Sequence, residues 1–214
     1  MTKKRPIDMT GDELQEHNLN IDPRAFANEI LDACKRLGFI KFTHLSFQKW
    51  LYYCYAVSVC GTQKFPFLPI DSNRNMNIDF WKFGPVCVPV YNEFKNFKNR
   101  PLVQTLDDYD KIEIDDDTEI DDNFNIIYKK CIMPESEYKN SIVNAIYQVL
   151  IGLSEHKSHQ LVCKTHSPNS AWTQFFSKDQ EKANPQILEC IMNEAQHYGY
   201  FMDLWKENFS KFND

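Results

Sequence analysis

His156, His159, Cys163 and His166 form the densest run of metal-ligating side chains, each three or four residues from the next. Side chains at that spacing share one face of a helix. Imidazoles and a thiolate are zinc ligands, and a Cys with a nearby His can also act as nucleophile and base. On one helix, however, His156 and His166 stand ~15 Å apart at ~1.5 Å rise per residue, too far for one ion. His159 and Cys163 make half a site, and the second half with its own fixed spacing is missing. The expected reading is a polar helix end with a buried Cys163, holding no metal and no cofactor.

A second candidate is the acidic run from Asp107 to Asp122, in which Asp115, Asp117, Glu119 and Asp121 alternate as calcium-loop ligands do. Position six of such a loop is Ile120 rather than Gly, and position twelve is Ile126 rather than Glu, so an EF-hand is disfavoured. Alternation in Lys111-Ile112-Glu113-Ile114, with Phe124–Tyr128 as its partner, predicts a solvated acidic hairpin instead, with an acidic docking surface for a basic partner as the second reading. No Gly-x-Ser-x-Gly, Cys-x-x-Cys or phosphate-cradling Gly-rich loop occurs, and six Gly in the chain leave little room for one. A non-enzymatic protein is expected.

The bulk properties narrow the partners. A net charge of −6 disfavours nucleic acid, whose phosphates call for a positive face. The basic run Lys95–Arg100 reads as a solvated helix end. No stretch is apolar enough to span a bilayer. Seven scattered Cys, and a start without an apolar run, point to the reducing cytoplasm. Aromatic residues make up 14% of the 214, which is the composition of a folded chain with a large core.

These residues must be positioned by helices. The predicted fold is mainly α: a compact multi-helix single domain over 21–214, with a short β-hairpin near 111–128. Residues 1–20 read as a loosely ordered arm. Asp22-Pro23 opens a helix that Gly38 closes. Phe47, Trp50, Leu51, Cys54 and Tyr55 recur at helical spacing in a helix over 45–60, apolar on its other face too and therefore central, with Gly61 ending it. Residues 62–80 read as loop, and Trp81–Val86 as a turn in which Gly84 takes φ > 0 and Pro85 fixes the exit. Pro89 starts a helix, Pro134 a long one, and residues 158–164 form a short one. Thr165–Trp172 turns into another short helix. Asn184-Pro185 starts the last, which Gly199 breaks.

Three segments in this order carry a resemblance: Phe47-Gln48-Lys49-Trp50-Leu51-Tyr52-Tyr53; Phe80-Trp81-Lys82-Phe83-Gly84-Pro85-Val86 with Pro89, Val90 and Tyr91; and Thr165-His166-Ser167 with Ala171-Trp172. Together they resemble the Panacea family of SocA-like antitoxins, over roughly residues 24 to 205. The resemblance implies a helical protein encoded beside a toxin gene or in a prophage. It implies direct contact with a cognate toxin, and in some members delivery of that toxin to an ATP-dependent protease. No catalytic residue is carried over. Trp172, Tyr91 and Trp81 are the candidate partner-binding residues, since aromatic residues dominate binding hot spots. Trp50, Gly84, Pro85, Thr165 and His166 are expected to be structural, with Thr165 and His166 satisfying nearby backbone groups. Two departures stand out: Ala171 where the family usually has Pro, and the length and charge of the acidic stretch. The alternatives are a phage-derived factor that binds a host defence or regulatory protein and, behind it, a metal or thiol enzyme.

Overall fold

The structure is a computed structural model that describes residues 4–116, 119–120, 126–176 and 182–197. Its elements run α1 (Gly11–His17), α2 (Pro23–Arg36), α3 (His44–Thr62), β1 (Ile78–Trp81), β2 (Gly84–Cys87), α4 (Val88–Phe94), β3 (Glu119–Ile120), β4 (Ile126–Ile127), α5 (Lys139–Leu153), α6 (Ser158–Thr165), α7 (Ala171–Phe175) and α8 (Asn184–His197). The mainly α fold expected from the sequence is the fold observed.

α3 is the axis. Every residue from Ser46 through Cys60 is buried, because α5 and α8 flank the helix while β2, α4 and α6 lie against it. Thr43 starts it, its hydroxyl accepting the Ser46 N–H at 3.3 Å. Gly61 does not end it. The helix runs on to Thr62, and Gln63 closes it in the left-handed conformation at φ 56°. Complete burial has a cost that the apolar pattern conceals. Gln48, Lys49 and Ser58 are inside as well, and buried polar groups must find partners in the protein.

The local start signals behave as their chemistry dictates. The Asp22 carboxylate accepts the Arg24 N–H at 2.7 Å with Pro23 in the first turn, and Gly38 takes φ 73° beyond the end of α2. α8 begins at Asn184, ahead of Pro185. Gly199 lies outside the described residues.

Four further sequence expectations need correction. Residues 4–20 are not a loose arm. Thr10 and Glu13 form a reciprocal capping box for α1, Leu14 is buried, and Leu19 and Ile21 donate backbone hydrogen bonds to Phe65 and Pro66. Lys111 belongs to a 3-10 turn, Leu106–Lys111, so the acidic hairpin pairs Glu119–Ile120 with Ile126–Ile127 instead. Phe124 and Asn125 lie outside the described residues. Pro134 does not open a helix, since α5 starts at Lys139. Finally, the end of the expected 62–80 loop is β1, which pairs with β2 as an antiparallel hairpin in the register Ile78↔Cys87 to Trp81↔Gly84. Ile78 and Phe80 point into the core, whereas Asp79 and Trp81 are half-buried, the period-two pattern of a strand.

Candidate functional site

The three motif segments meet at one node. Gly84 has φ +98°, and a Cβ placed on it would lie 2.4 Å from Thr165 Oγ1 and 3.0 Å from Lys49 Nζ. Only a residue without a side chain lets α3, β2 and the end of α6 close to this distance. Lys49 Nζ donates to the Pro85 carbonyl at 2.6 Å, and the Cys87 N–H donates to Gln48 Oε1 at 2.8 Å. Two adjacent polar side chains of α3 therefore hold β2 by its backbone. Gln48 Nε2 also lies 3.1 Å from His44 Nε2. The Thr165 hydroxyl donates to the Val162 carbonyl at 2.9 Å, the local backbone role expected of it.

Burial sets the electrostatics of this node. It pushes Lys49 down to about 7, and with the Lys49 charge it lowers His44 to about 4. His166 is also lowered, by burial and then by Lys49. Here the sequence reading is corrected in one respect: His166 does not serve a nearby backbone group through its ring. Its Nε2 has no hydrogen-bond partner among the described residues, and the ring lies stacked on Trp172 with centroids 3.6 Å apart.

From this node an aromatic face extends outward. Trp172 stacks on Phe176 at 4.7 Å, and its Nε1 donates to the Trp81 carbonyl at 2.7 Å. Trp81 meets Tyr91 edge-on at 4.7 Å and anchors its own Nε1 on Asp79 at 2.9 Å. The three aromatic residues singled out from the sequence, Trp81, Tyr91 and Trp172, are thus one connected, half-buried surface. The exposed Phe176 extends it, and Phe83, two residues from Trp81 at the tip of the β1–β2 hairpin, is 58% exposed. Neither was singled out, although Phe83 lies inside the quoted Trp81–Val86 motif.

A second polar node backs α7. Glu194 of α8 is buried and accepts the Tyr52 hydroxyl at 2.5 Å and the Ala171 N–H at 2.9 Å, while burial raises its carboxyl to about 7. This accounts for Ala171, since a proline there would supply no N–H. Trp50 is buried between Phe39 and Phe42, with ring centroids 5.6 and 5.1 Å away.

The candidate metal and thiol residues are dispersed. His159 and Cys163 lie on α6, His156 precedes it and His166 caps its end. Cys163 is exposed rather than buried. Among the described residues no group of three or more His, Cys, Asp or Glu is placed to hold a metal. All seven cysteines are free thiols, and no described helix is long and apolar enough to cross a membrane.

Among curated proteins and solved structures, no match to the chain was found. The family model described as "Antitoxin SocA-like, Panacea domain" matches residues 47–173. That span begins at the Phe47 of α3 and ends one residue after Trp172, so it encloses the Lys49–Gly84–Thr165 node and most of its aromatic face. A match over more than half of the chain, centred on the residues that lock its fold, establishes that this protein belongs to the SocA-like antitoxin, Panacea domain family.

Proposed function

We propose that the protein neutralises a toxin protein by direct contact through the aromatic face formed by Trp81, Phe83, Tyr91, Trp172 and Phe176. The observation that carries this reading is the exposed Phe83, held outward on a hairpin whose backbone is fixed from inside by Gln48 and Lys49. A large aromatic side chain on a preorganised support loses little entropy on binding. The half-buried tryptophans beside it are of the type that dominates hot spots. The function is binding rather than catalysis, and family membership supports a toxin as the partner. Free thiols throughout support a reducing compartment, the cytoplasm.

The test is co-expression with a toxin-like gene, sought first among the genes encoded beside this one. Growth rescue is expected, with Phe83→Ala abolishing it while leaving the melting temperature unchanged, at a binding cost on the order of 2 kcal/mol. Rescue that survives both Phe83→Ala and Trp172→Ala would move the contact elsewhere. Absence of any rescue would favour the other reading, a phage-derived factor aimed at a host protein. The lifetime of the bound toxin separates occlusion, where the toxin persists, from delivery to an ATP-dependent protease, where it disappears.

A further inference from the structure

Glu194 joins a buried carboxyl to the part of the aromatic face that α7 carries. It is 2% exposed, and its two oxygens are in unequal surroundings. Oε2 accepts from both the Tyr52 hydroxyl and the Ala171 N–H, whereas Oε1 is buried and has no hydrogen-bond partner among the described residues. Both donors are neutral, and no described Lys, Arg or His forms an ion pair with this carboxyl. An ionised carboxylate with one bare oxygen and no cation is costly to bury, so the site favours the neutral acid. Its upward shift, to about 7, has that direction.

The surrounding elements supply few titratable groups. α3 presents the Tyr52 hydroxyl and, 3.7 Å from the Met192 carbonyl, the Cys60 thiol. α8 itself adds Cys190, one turn before Glu194, and Glu189, which meets Arg5 at 3.9 Å where Pro6–Asp8 packs on the helix. α7 has no ionisable side chain and offers a backbone N–H. Lys49 and His166 belong to the neighbouring node and reach α7 through the Trp172 ring. The Ala171 N–H is one of the start groups that a helix cannot satisfy internally, and α7 is only five residues long, so Glu194 is a main anchor of its start. The next residue is Trp172, whose Nε1 reaches the Trp81 carbonyl at 2.7 Å.

We propose that Glu194 is a proton-controlled latch on the aromatic face. The neutral acid holds α7 against α8. Ionisation draws the bare oxygen toward water, parts α7 from α8 and takes Trp172 off the Trp81 carbonyl. The face is closed on the acidic side of neutrality and loosened on the alkaline side. The bearing of the latch on partner binding rests on that face being the contact; the latch itself does not, and its test needs no partner.

The test is a pH titration of the ¹³C,¹⁵N-labelled full chain from about pH 5 to about pH 9. The Glu194 side-chain carboxyl carbon, identified by its loss in Glu194→Gln, should titrate near pH 7. The Ala171 amide and Trp172 indole N–H signals should move along the same curve. In Glu194→Gln, which stays neutral at every pH, the Ala171 signal should stay fixed and Trp172 should lose that part of its movement. In Lys49→Met both movements should persist. A carboxyl carbon that titrates below about pH 5, in the ordinary carboxylate range, would overturn the proposal. So would Ala171 and Trp172 signals that ignore its titration, or that move unchanged in Glu194→Gln. Loss of both movements in Lys49→Met would assign them to Lys49 and overturn it too. The carboxyl and amide curves of the parent chain decide even where a variant fails to fold.

Discussion

At the scale of single residues, the informative positions are those where one atom decides the packing. Gly84 combines φ +98° with a Cβ direction blocked by Thr165 and Lys49. Gly84→Val should therefore cost about 2–5 kcal/mol, the sum of left-handed strain and overpacking, read as the urea unfolding midpoint. Ala171 offers a sharper comparison. It is the first residue of α7, and Ser170 before it is already extended at φ −79°, ψ 153°, so proline fits sterically. Ala171→Pro should still cost about 1–3 kcal/mol, because Glu194 loses its N–H donor. In a Glu194→Met background, where that N–H has already lost its partner, the same proline should be nearly neutral. Lys49 gives the fold a pH signature. Its folded value of about 7 lies below the ordinary 10.5, so between these limits the unfolded chain holds a proton that the folded one does not. Stability gains from rising pH across that window and is flat below it, by at most ~1.4 kcal/mol per pH unit for one proton. The stability of the parent relative to Lys49→Met should therefore rise between pH 7 and 10. A flat difference would show that Lys49 keeps its charge inside.

At the scale of elements, one side chain organises the acidic region from below. Asn28 of α2 is buried, donates to the carbonyls of Ile114 at 2.6 Å and Cys131 at 2.8 Å, and accepts the Ile114 N–H at 2.9 Å. It fixes both stems of the excursion just where Asp115 and Lys130 pair. Asn28→Ala should cost at least ~2 kcal/mol and speed amide exchange at Ile114 and Cys131 while α5 keeps its protection. The contrast between Asn28 and the helix starts shows what a sequence makes legible. Asp22-Pro23 and Asn184-Pro185 act through groups a few residues away, so the starts of α2 and α8 could be read directly. Gln48 and Lys49 act on a strand that arrives 36 to 39 residues later, and nothing local distinguishes them from surface residues of an apolar helix. The β1–β2 hairpin was hidden for a related reason. Trp81-Lys82-Phe83-Gly84 carries none of the usual Asn-Gly or Asp-Gly turn chemistry, and its register is set by tertiary partners. In the candidate site, the aromatic residues were readable as types. That Trp81, Tyr91 and Trp172 form one surface depends on Trp172 reaching a carbonyl 91 residues away.

For the molecule as a whole, the thiols report how completely the core closes. Cys34, Cys54, Cys60, Cys87 and Cys131 are buried, Cys190 is half-buried and Cys163 is exposed. Burial raises Cys60 and Cys87 to about 12 and Cys131 and Cys190 to about 11, so few of their thiolates exist at neutral pH. A disulfide reagent should label Cys163 at once, Cys190 slowly and the other five only after denaturation, as mass spectrometry of the labelled peptides would show. Early labelling of Cys54 would mean that α3 opens without global unfolding. The node of Lys49, Gly84 and Thr165 has a consequence for the newborn chain as well. Lys49 leaves the ribosome long before Thr165 does, by on the order of ten seconds at ordinary rates of synthesis. Throughout that interval α3 has neither the end of α6 nor α8 to cover it, and its tyrosines and valines face water. The node that joins the three motif segments therefore closes only when the chain is nearly finished, and in the meantime the longest described helix lacks its cover.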